Sequence, residues 1–416
     1  MNVVRDTARR PSSRRTVMVA GMAQSVKHVL IVGAGLAGLR TAEELRRAGY
    51  EGELLLIGDE NHPPYDRPPL SKQFMRGDLD STALRPDEFY AEQRIELRLG
   101  TTVTGVDTAA HAITLADGSR LTYDQLVIAT GLRPRRIPGL PEVSGVHVLR
   151  SHDDAARMRD HLGTAARAMV VGGGFIGCEL AASFRMSGVE VVLVEPQPTP
   201  LAAALGEQIG SLVARLHRAE GVDLRCGIGV ETLVTEGDAV RGVRLTDGSV
   251  VDADLVVIGI GSIPTTDWLA DSGIPLASPT EGGGIITDEF GRTGVDGVWA
   301  VGDVAAWPHR VGRNKRVEHW TNAGEQAKIT ACALLGTESP AAQVPYVWSD
   351  QYDMKIQVLG LPALADEIRI VEDQGRKFLA HYFRDGTLVA VVGAGMTGKV
   401  MKMRALLRLP EYSAPG

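Results

Sequence analysis

The apolar positions of this 416-residue chain fall in short uninterrupted runs rather than long alternating stretches. Val29 to Val32, Glu53 to Ile57 and Gln125 to Thr130 form one set; the run before Gly172, the segment Val189 to Val194 and the run ending at Gly261 form a second. Short continuous apolar runs are the mark of parallel strands covered on both faces. Helical segments separate them, the first reaching to about Ala48, so the pattern predicts strand–helix–strand units. Residues 95–131 read instead as short strands and hairpins that return to the first set. A later strand, Val298 to Val301, leads into Gly302-Asp303 and a predicted helix start. No run approaches the roughly 18 apolar residues that a membrane-spanning helix needs, and a soluble protein is expected.

The glycines that follow two of these strands carry the first chemistry. In HVLIVGAGLAGLRTA, from His28 to Ala42, Gly33, Gly35 and Gly38 form a G-x-G-x-x-G turn that opens a helix. Gly33 permits the tight turn, Gly35 lets a pyrophosphate approach the backbone, and Gly38 lets helix and strand pack closely. VVGGGFIGCE repeats the spacing with Gly172, Gly174 and Gly177, enclosing Phe175 and Ile176. Asp117-Gly118-Ser119 precedes a strand run through Ala129 and Thr130 to Gly131, and Asp247-Gly248-Ser249 precedes one to Gly261; the interval from Gly118 or Gly248 to the final glycine is 13 residues in both. Two fingerprints, each with an antiparallel excursion and a returning strand, predict an internally duplicated α/β chain that holds two dinucleotides.

Acids at the ends of the second strands would bind ribose hydroxyls. Asp59 is the candidate in the first unit, with Glu60 as an alternative, and Glu195, 23 residues after Gly172, is the candidate in the second. A 2′-phosphate would meet Glu195 as a like charge. At about 4 Å and an effective dielectric of about 20 the repulsion is roughly 4 kcal/mol, near a thousandfold in selectivity, so NADH is preferred over NADPH. Between the units, Pro63 to Lys72 is a proline-stiffened loop that delivers Arg67 and Lys72. Either cation could favour negative charge developing on a reduced flavin, although composition alone would put such a lysine on the surface. Gly302 and Asp303 could offer a carboxylate to a sugar-like chain.

Composition narrows the rest. A formal net charge of -7 argues against a dominant nucleic-acid surface, and 44% hydrophobic content supports ordinary buried cores. Cys178, Cys226 and Cys332 make no C-x-x-C pair, zinc ribbon or disulfide scaffold; no metal is expected. Disulfide reduction would need a cysteine pair beside the flavin, and residues 39–90 contain none. Residues 1–26 are Arg-rich, lack a hydrophobic period and are expected to lie outside the fold as a disordered tail or upstream of a start at Met22. A twin-arginine export signal is the weaker reading, and cytoplasmic residence is expected.

With GAGLAG at 33–38, RPPLSK at 67–72, LVIATG at 126–131, GGGFIGCE at 172–179, AVGD at 300–303 and WSDQYDMKIQVLGL at 348–361, the chain resembles the two-dinucleotide-binding flavoproteins, and within them the NADH-dependent ferredoxin reductases of oxygenase systems. The resemblance implies two Rossmann-like domains of the glutathione-reductase kind and a small α+β C-terminal domain. The expected division is 27–141 with 264–335 for FAD, 142–263 for NAD, and 336–416. It implies FAD contacts at Leu36, Ala37, Asp59, Lys72, Val103, Arg150 and Asp303, with Glu318 and Trp320 near the isoalloxazine, and Glu179 positioning the nicotinamide. Lys72, Glu179 and Trp320 are thus the expected catalytic groups. Hydride from NADH would pass to non-covalent FAD and single electrons to a [2Fe-2S] ferredoxin that serves a cytochrome P450 or ring-hydroxylating oxygenase. A rubredoxin reductase and an NADH-sensing flavoprotein are the alternatives. The basic loop His309 to Arg316 is a candidate ferredoxin-docking site, and Val391 to Gly398 lacks the Asn-Arg pair associated with that position in the family.

Overall fold

The computed structural model describes residues 26–308, 314–341 and 343–407. The N-terminal 25 residues, and with them nearly all of the predicted tail, lie outside the described residues, as do residues 309–313 of the candidate docking loop.

The first set of strands forms a five-stranded parallel sheet in the order Val298–Ala300, Gln125–Ile128, His28–Val32, Glu53–Ile57, Glu96–Arg98. Its uninterrupted apolar runs have a physical cause. Val29 and Ile31 pack under the helices on one face, while Leu30 and Val32 pack toward Ile113 and Leu115 on the other. The second set repeats the arrangement in the order Asp223–Cys226, Glu190–Glu195, Arg167–Val171, Leu255–Ile258, Val146–His147, again all parallel. Here Ala168 and Val170 join the core under the helix Phe175–Met186, and Met169 and Val171 face Leu233, Val243 and Leu245.

Each sheet carries a three-stranded antiparallel flap: Val103–Asp107, Ala112–Leu115 and Arg120–Thr122 in one, Val230–Glu236, Ala239–Leu245 and Val250–Asp252 in the other. The two Asp-Gly-Ser turns are atomically alike. Asp117 Oδ1 accepts from the Ser119 amide at 2.9 Å and hydroxyl at 2.6 Å, and Asp247 Oδ1 accepts from Ser249 at the same two distances. Gly118 and Gly248 both take positive φ, 82° and 84°.

Arg150 leads into the helix His152–Leu162, whose start is fixed by a capping box between Ser151 and Asp154. The Pro-rich loop is tied to that start: His62 Nε2 lies 2.7 Å from Asp153 Oδ1, and the Tyr65 hydroxyl accepts from the His152 amide. One expectation fails. Gly302-Asp303 opens only a single 3-10 turn, Gly302–Val304, and the chain continues as the strand Ala305–Pro308, because Ala305 and Ala306 pair with Ile285 and Ile286 and are buried. The helix comes later, as Trp320–Leu334, and packs on Leu36–Arg47.

The C-terminal part is a five-stranded antiparallel sheet in the order Tyr346–Gln351, Met354–Gly360, Thr387–Ala394, Lys377–Arg384, Glu367–Gln374. One face, with Ile356, Val358, Phe378 and Tyr382, merges with the core of the second unit, and the Tyr382 hydroxyl donates to the Leu205 carbonyl. Val391 and Leu359 on the other face are covered by Val400 and Leu407. Among the described residues no helix is long and apolar enough to cross a membrane.

Candidate functional site

The two fingerprint turns are nearly superposable in detail. Gly33 and Gly172 have φ of 114° and 104°, and a Cβ on either would run into the carbonyl oxygen of Ala129 or Gly259. A Cβ on Gly38 or Gly177 would strike the carbonyl of Gly33 or Gly172. By contrast Gly35 and Gly174 face open space. These two are the N-caps of the helices Leu36–Arg47 and Phe175–Met186, neither of which has a side-chain cap or an acid in its first turn. The positive helix ends are therefore left for an anion. Two such cradles fit the pyrophosphates of two dinucleotides, FAD and NAD(H).

The strand-end acids differ. Glu195 is clamped at the second turn, its Oε2 accepting from the Gly173 amide at 2.6 Å and its Oε1 from the Gln197 amide at 2.8 Å. In the first unit Val32 pairs with Ile57 where Val171 pairs with Val194, so the residue that corresponds to Glu195 is Gly58. Asp59, exposed, stands one position further on. Glu60 is engaged: Arg67 reaches its Oε1 at 2.7 Å and the Tyr65 hydroxyl donates to its Oε2 at 2.6 Å.

Between the turns lies a buried polar centre. Lys72 is not on the surface; with Glu179 it forms an ion pair, Nζ to Oε2 at 2.6 Å, and both side chains are under 10% exposed. Ser71 Oγ donates to the same carboxylate oxygen at 2.5 Å and Ser349 Oγ donates to Oε1 at 2.7 Å. Three groups from two other parts of the chain thus meet at Glu179. Sequence reasoning placed Lys72 and Glu179 separately and missed Ser71 and Ser349; the signal lay in the RPPLSK and WSDQY motifs that contain them.

Trp320 starts its helix and donates from Nε1 to Asp66 Oδ1 at 2.8 Å, with the Trp348 ring edge-on at 6.1 Å and Tyr346 stacked on Trp348. Burial raises the Asp66 carboxyl, and the Trp320 bond pulls against it. Arg150 and Asp303 interact electrostatically beside Gly131, and neither side chain forms a hydrogen bond among the described residues. Burial lowers the Arg150 guanidinium to about 10, with Arg67 acting in the same sense. Burial raises Asp303, while Arg150 pulls it down. Charged groups at the mouth of the first cradle whose side chains make no hydrogen bond among the described residues suit the polar chain of a bound FAD. Arg67 bonds Glu60, Tyr65 and the Arg150 carbonyl, which ties the Pro-rich loop to the start of the helix His152–Leu162.

The other candidates take these places. Ala129 and Gly131 close the first turn, and Thr130 Oγ1 donates to Thr265. Val103 is half-buried in the flap, packed against the core beneath the first sheet. Gly261, with φ of 96°, ends the second unit. Ile176 is exposed at the second turn. A cavity of about 510 Å³ opens where the three parts meet, lined among others by Phe175, Leu205, Glu318, His319, Val347 and Leu361. Glu318 is held there by Ser262 and Arg316. Cys178, Cys226 and Cys332 are free, and burial raises the Cys178 thiol far above its ordinary value.

Residues 27–327 match the family model of the pyridine nucleotide-disulphide oxidoreductases, and residues 346–411 match the reductase C-terminal domain. The chain belongs to this family. It is therefore a pyridine-nucleotide oxidoreductase, and within the family its relatives are ferredoxin reductases. The 5,5'-dehydrodivanillate O-demethylase ferredoxin reductase subunit of Sphingobium sp. (strain NBRC 103272 / SYK-6) is 38% identical over 91% of this chain and 92% of its own. The ferredoxin reductase for the CYP199A2 system from Rhodopseudomonas palustris matches with a TM-score of 0.87 and 36% identity, over 93% of this chain and 96% of that one. The covalent putidaredoxin reductase–putidaredoxin complex matches with a TM-score of 0.86 and 33% identity, over 91% and 92%.

Proposed function

We propose that this oxidoreductase works in the cytoplasm, takes reducing equivalents from NADH and passes them singly to a [2Fe-2S] ferredoxin that serves a cytochrome P450 or ring-hydroxylating oxygenase. FAD, when bound, accepts a hydride and releases electrons one at a time, which is the chemistry such a relay requires. The chain's own residues bind, orient and tune. The first cradle, with Arg150 and Asp303, holds FAD; the second cradle, with Glu195, holds NADH and disfavours NADPH. Residues 27–141 with 264–335 serve as the FAD domain, 142–263 as the NAD domain and 336–416 as the reductase domain.

The observation that carries this reading is the Lys72–Glu179 pair, a buried cation and anion from the two cofactor units, joined at 2.6 Å. Neither is a free acid or base; together they fix charge where negative charge must develop. Trp320 donates to Asp66, a carboxyl on which Lys72 acts electrostatically, and Trp348 and Tyr346 extend from the indole. With three free cysteines and none between residues 39 and 90, the acceptor is an external carrier rather than an internal disulfide.

Of the basic loop proposed to dock an acidic ferredoxin, Arg313 lies outside the described residues, and Arg316 is engaged with Glu318 and the carbonyls of Gly282 and Asp303. Docking charge therefore has to come from its other cations. Anaerobic stopped-flow absorbance tests the whole reading. NADH-selective bleaching of bound flavin, followed by reoxidation on adding a [2Fe-2S] ferredoxin, is expected. Reoxidation by rubredoxin alone would replace the acceptor, and a long-lived reduced state with either carrier would favour an NADH sensor.

A further inference from the structure

The strand Tyr346–Gln351 turns two polar side chains inward. Its burial alternates so that Ser349 and Gln351 are wholly buried, at positions where a strand packed on a core ordinarily carries apolar residues. Buried polar groups are costly unless hydrogen-bonded, and these are bonded in one continuous line. Tyr352 Oη lies 2.9 Å from His217 Nδ1, His217 Nε2 lies 3.1 Å from Gln351 Oε1, Gln351 Nε2 donates to Ser349 Oγ at 3.2 Å, and Ser349 donates to Glu179 Oε1 at 2.7 Å.

The direction of the line follows from its members. Burial pulls the His217 imidazole down to about 4, so the ring is neutral at pH 7 and carries one N–H. Gln351 Oε1 can only accept, which puts that proton on Nε2 and leaves Nδ1 to accept from Tyr352. Every donor then points toward Glu179. Aligned donors polarise one another and end on a carboxylate, the acceptor that gains most from them. On its other oxygen Glu179 takes Lys72 and Ser71.

We infer that Ser349, on the C-terminal sheet, is a positioning residue for the hydride step: it occupies one oxygen of Glu179 so that the other is held against Lys72. This rests on the reading that Lys72 and Glu179 stand at the reacting centre. Ser349 touches neither cofactor cradle and acts through Glu179 alone. By the same route the C-terminal sheet, through Gln351 and the His217 of the NAD unit, helps to set the geometry of a site built from the other two parts.

The test is a double-mutant cycle on the FAD-loaded enzyme with Ser349→Ala, Ser349→Cys, Glu179→Gln and the Ser349→Ala/Glu179→Gln pair. Limiting rates of flavin reduction by NADH, affinity for NAD⁺ and thermal midpoints are measured for each. Ser349→Ala is expected to slow reduction about tenfold, the scale of one hydrogen bond to a charged group, with NAD⁺ affinity within about twofold. Cysteine, a weaker donor of similar size, falls between. The double variant is expected to be no slower than Glu179→Gln, and a crystal structure of Ser349→Ala to show the Glu179 carboxylate turned from Lys72. If Ser349→Ala does not load FAD, the Ser349→Cys and Ser349→Cys/Glu179→Gln pair carries the same cycle. Wild-type reduction rates in the Ser349 variants, or losses that multiply in the double variant, would overturn the inference. A Glu179→Gln enzyme that reduces at the wild-type rate would instead overturn the placement of the ion pair itself.

Discussion

The two fingerprint units share a backbone and differ in where they keep their side chains. Gly33 and Gly172 turn alike, Gly35 and Gly174 cap alike, and both glycine amides at the turn, Gly33 and Gly172, donate to the second strand at 2.8 Å. Yet Ala34 in the first unit faces Gly58, whose Cβ would collide with the alanine methyl. In the second unit Gly173 faces Glu195, and a Cβ on Gly173 would crowd that carboxylate. A methyl on the turn and a side chain at the strand end compete for the same volume. The second unit spends that volume on a fixed carboxylate, which suits a dinucleotide selected by its 2′ position; the first spends it on packing, which suits a cofactor that is bound and kept. The units differ again two residues after the third glycine. Arg40, itself partly exposed, pairs with Glu43 on its own helix, whereas Glu179 reaches across to Lys72 and both of those side chains are buried.

Breaking the shared backbone should separate the two cofactors completely. Gly33→Ala and Gly172→Ala each place a Cβ against a carbonyl at a positive φ, a combination that neither turn can absorb without moving. Gly33→Ala is expected to purify without flavin and to be inactive. Gly172→Ala is expected to keep its flavin absorbance and lose at least about a hundredfold in kcat/KM for NADH, roughly 2.7 kcal/mol of transition-state stabilisation. Loss of flavin from both variants would show that the second turn is needed for the first to form.

The next largest effect sharpens the difference between Glu179 and Arg40. Glu179→Ala leaves Lys72 buried without its partner, a change that costs about 3–5 kcal/mol. A lower thermal midpoint and slower flavin reduction should appear together. Arg40→Ala removes a partly exposed i,i+3 pair and should cost no more than about 1 kcal/mol, with FAD content unchanged.

What could be read from sequence was what is local in sequence. Glycine spacing located both turns, because a turn's requirements fall within six residues, and the strand Glu53–Ile57 was bounded correctly because an apolar run shows its own ends. What is less legible depends on contacts across the chain. Lys72 looks like a surface cation in a proline-rich loop, and only the fold brings it to Glu179, 107 residues away. Asp59 is read from its place after the strand, and only pairing register shows that Gly58, one residue earlier, stands at the position of Glu195. Gly302-Asp303 looked like a helix start until Ala305 and Ala306 found strand partners at Ile285 and Ile286. Ser349 is marked only by the WSDQY motif around it, since a serine in a strand is ordinary until its partner is known.

Glu195 gives an intermediate effect that touches only the second unit. Glu195→Gln removes the like charge that a 2′-phosphate would meet while keeping an acceptor. It should narrow the NADH-over-NADPH ratio in kcat/KM by at least about tenfold, within the roughly 4 kcal/mol available to the charge. Gly173→Ala, which crowds the same carboxylate, should raise the dissociation constant for NADH by a few-fold and leave NADPH almost unaffected. Equal weakening of both nucleotides by either variant would remove Glu195 as the selective group.

The smallest effect tests where the two units should behave identically. Asp117 and Asp247 sit in exposed turns, and each carboxyl is held below the usual carboxylate range by its serine, Ser119 or Ser249, through a hydroxyl and an amide bond. A carboxyl whose value is lower in the folded state stabilises the fold above its unfolded value, near 3.9, and loses that contribution as the pH falls through the folded value. Asp117→Ala and Asp247→Ala should therefore lower the thermal midpoint slightly at pH 7, by equal amounts, and the deficit of each against the wild type should shrink as the pH is taken below about 4. Because the two turns share the same pair of serine-to-aspartate bonds, a clear inequality between the variants at pH 7 would mean that the flaps bear different loads, and that the duplication ends at the cradles.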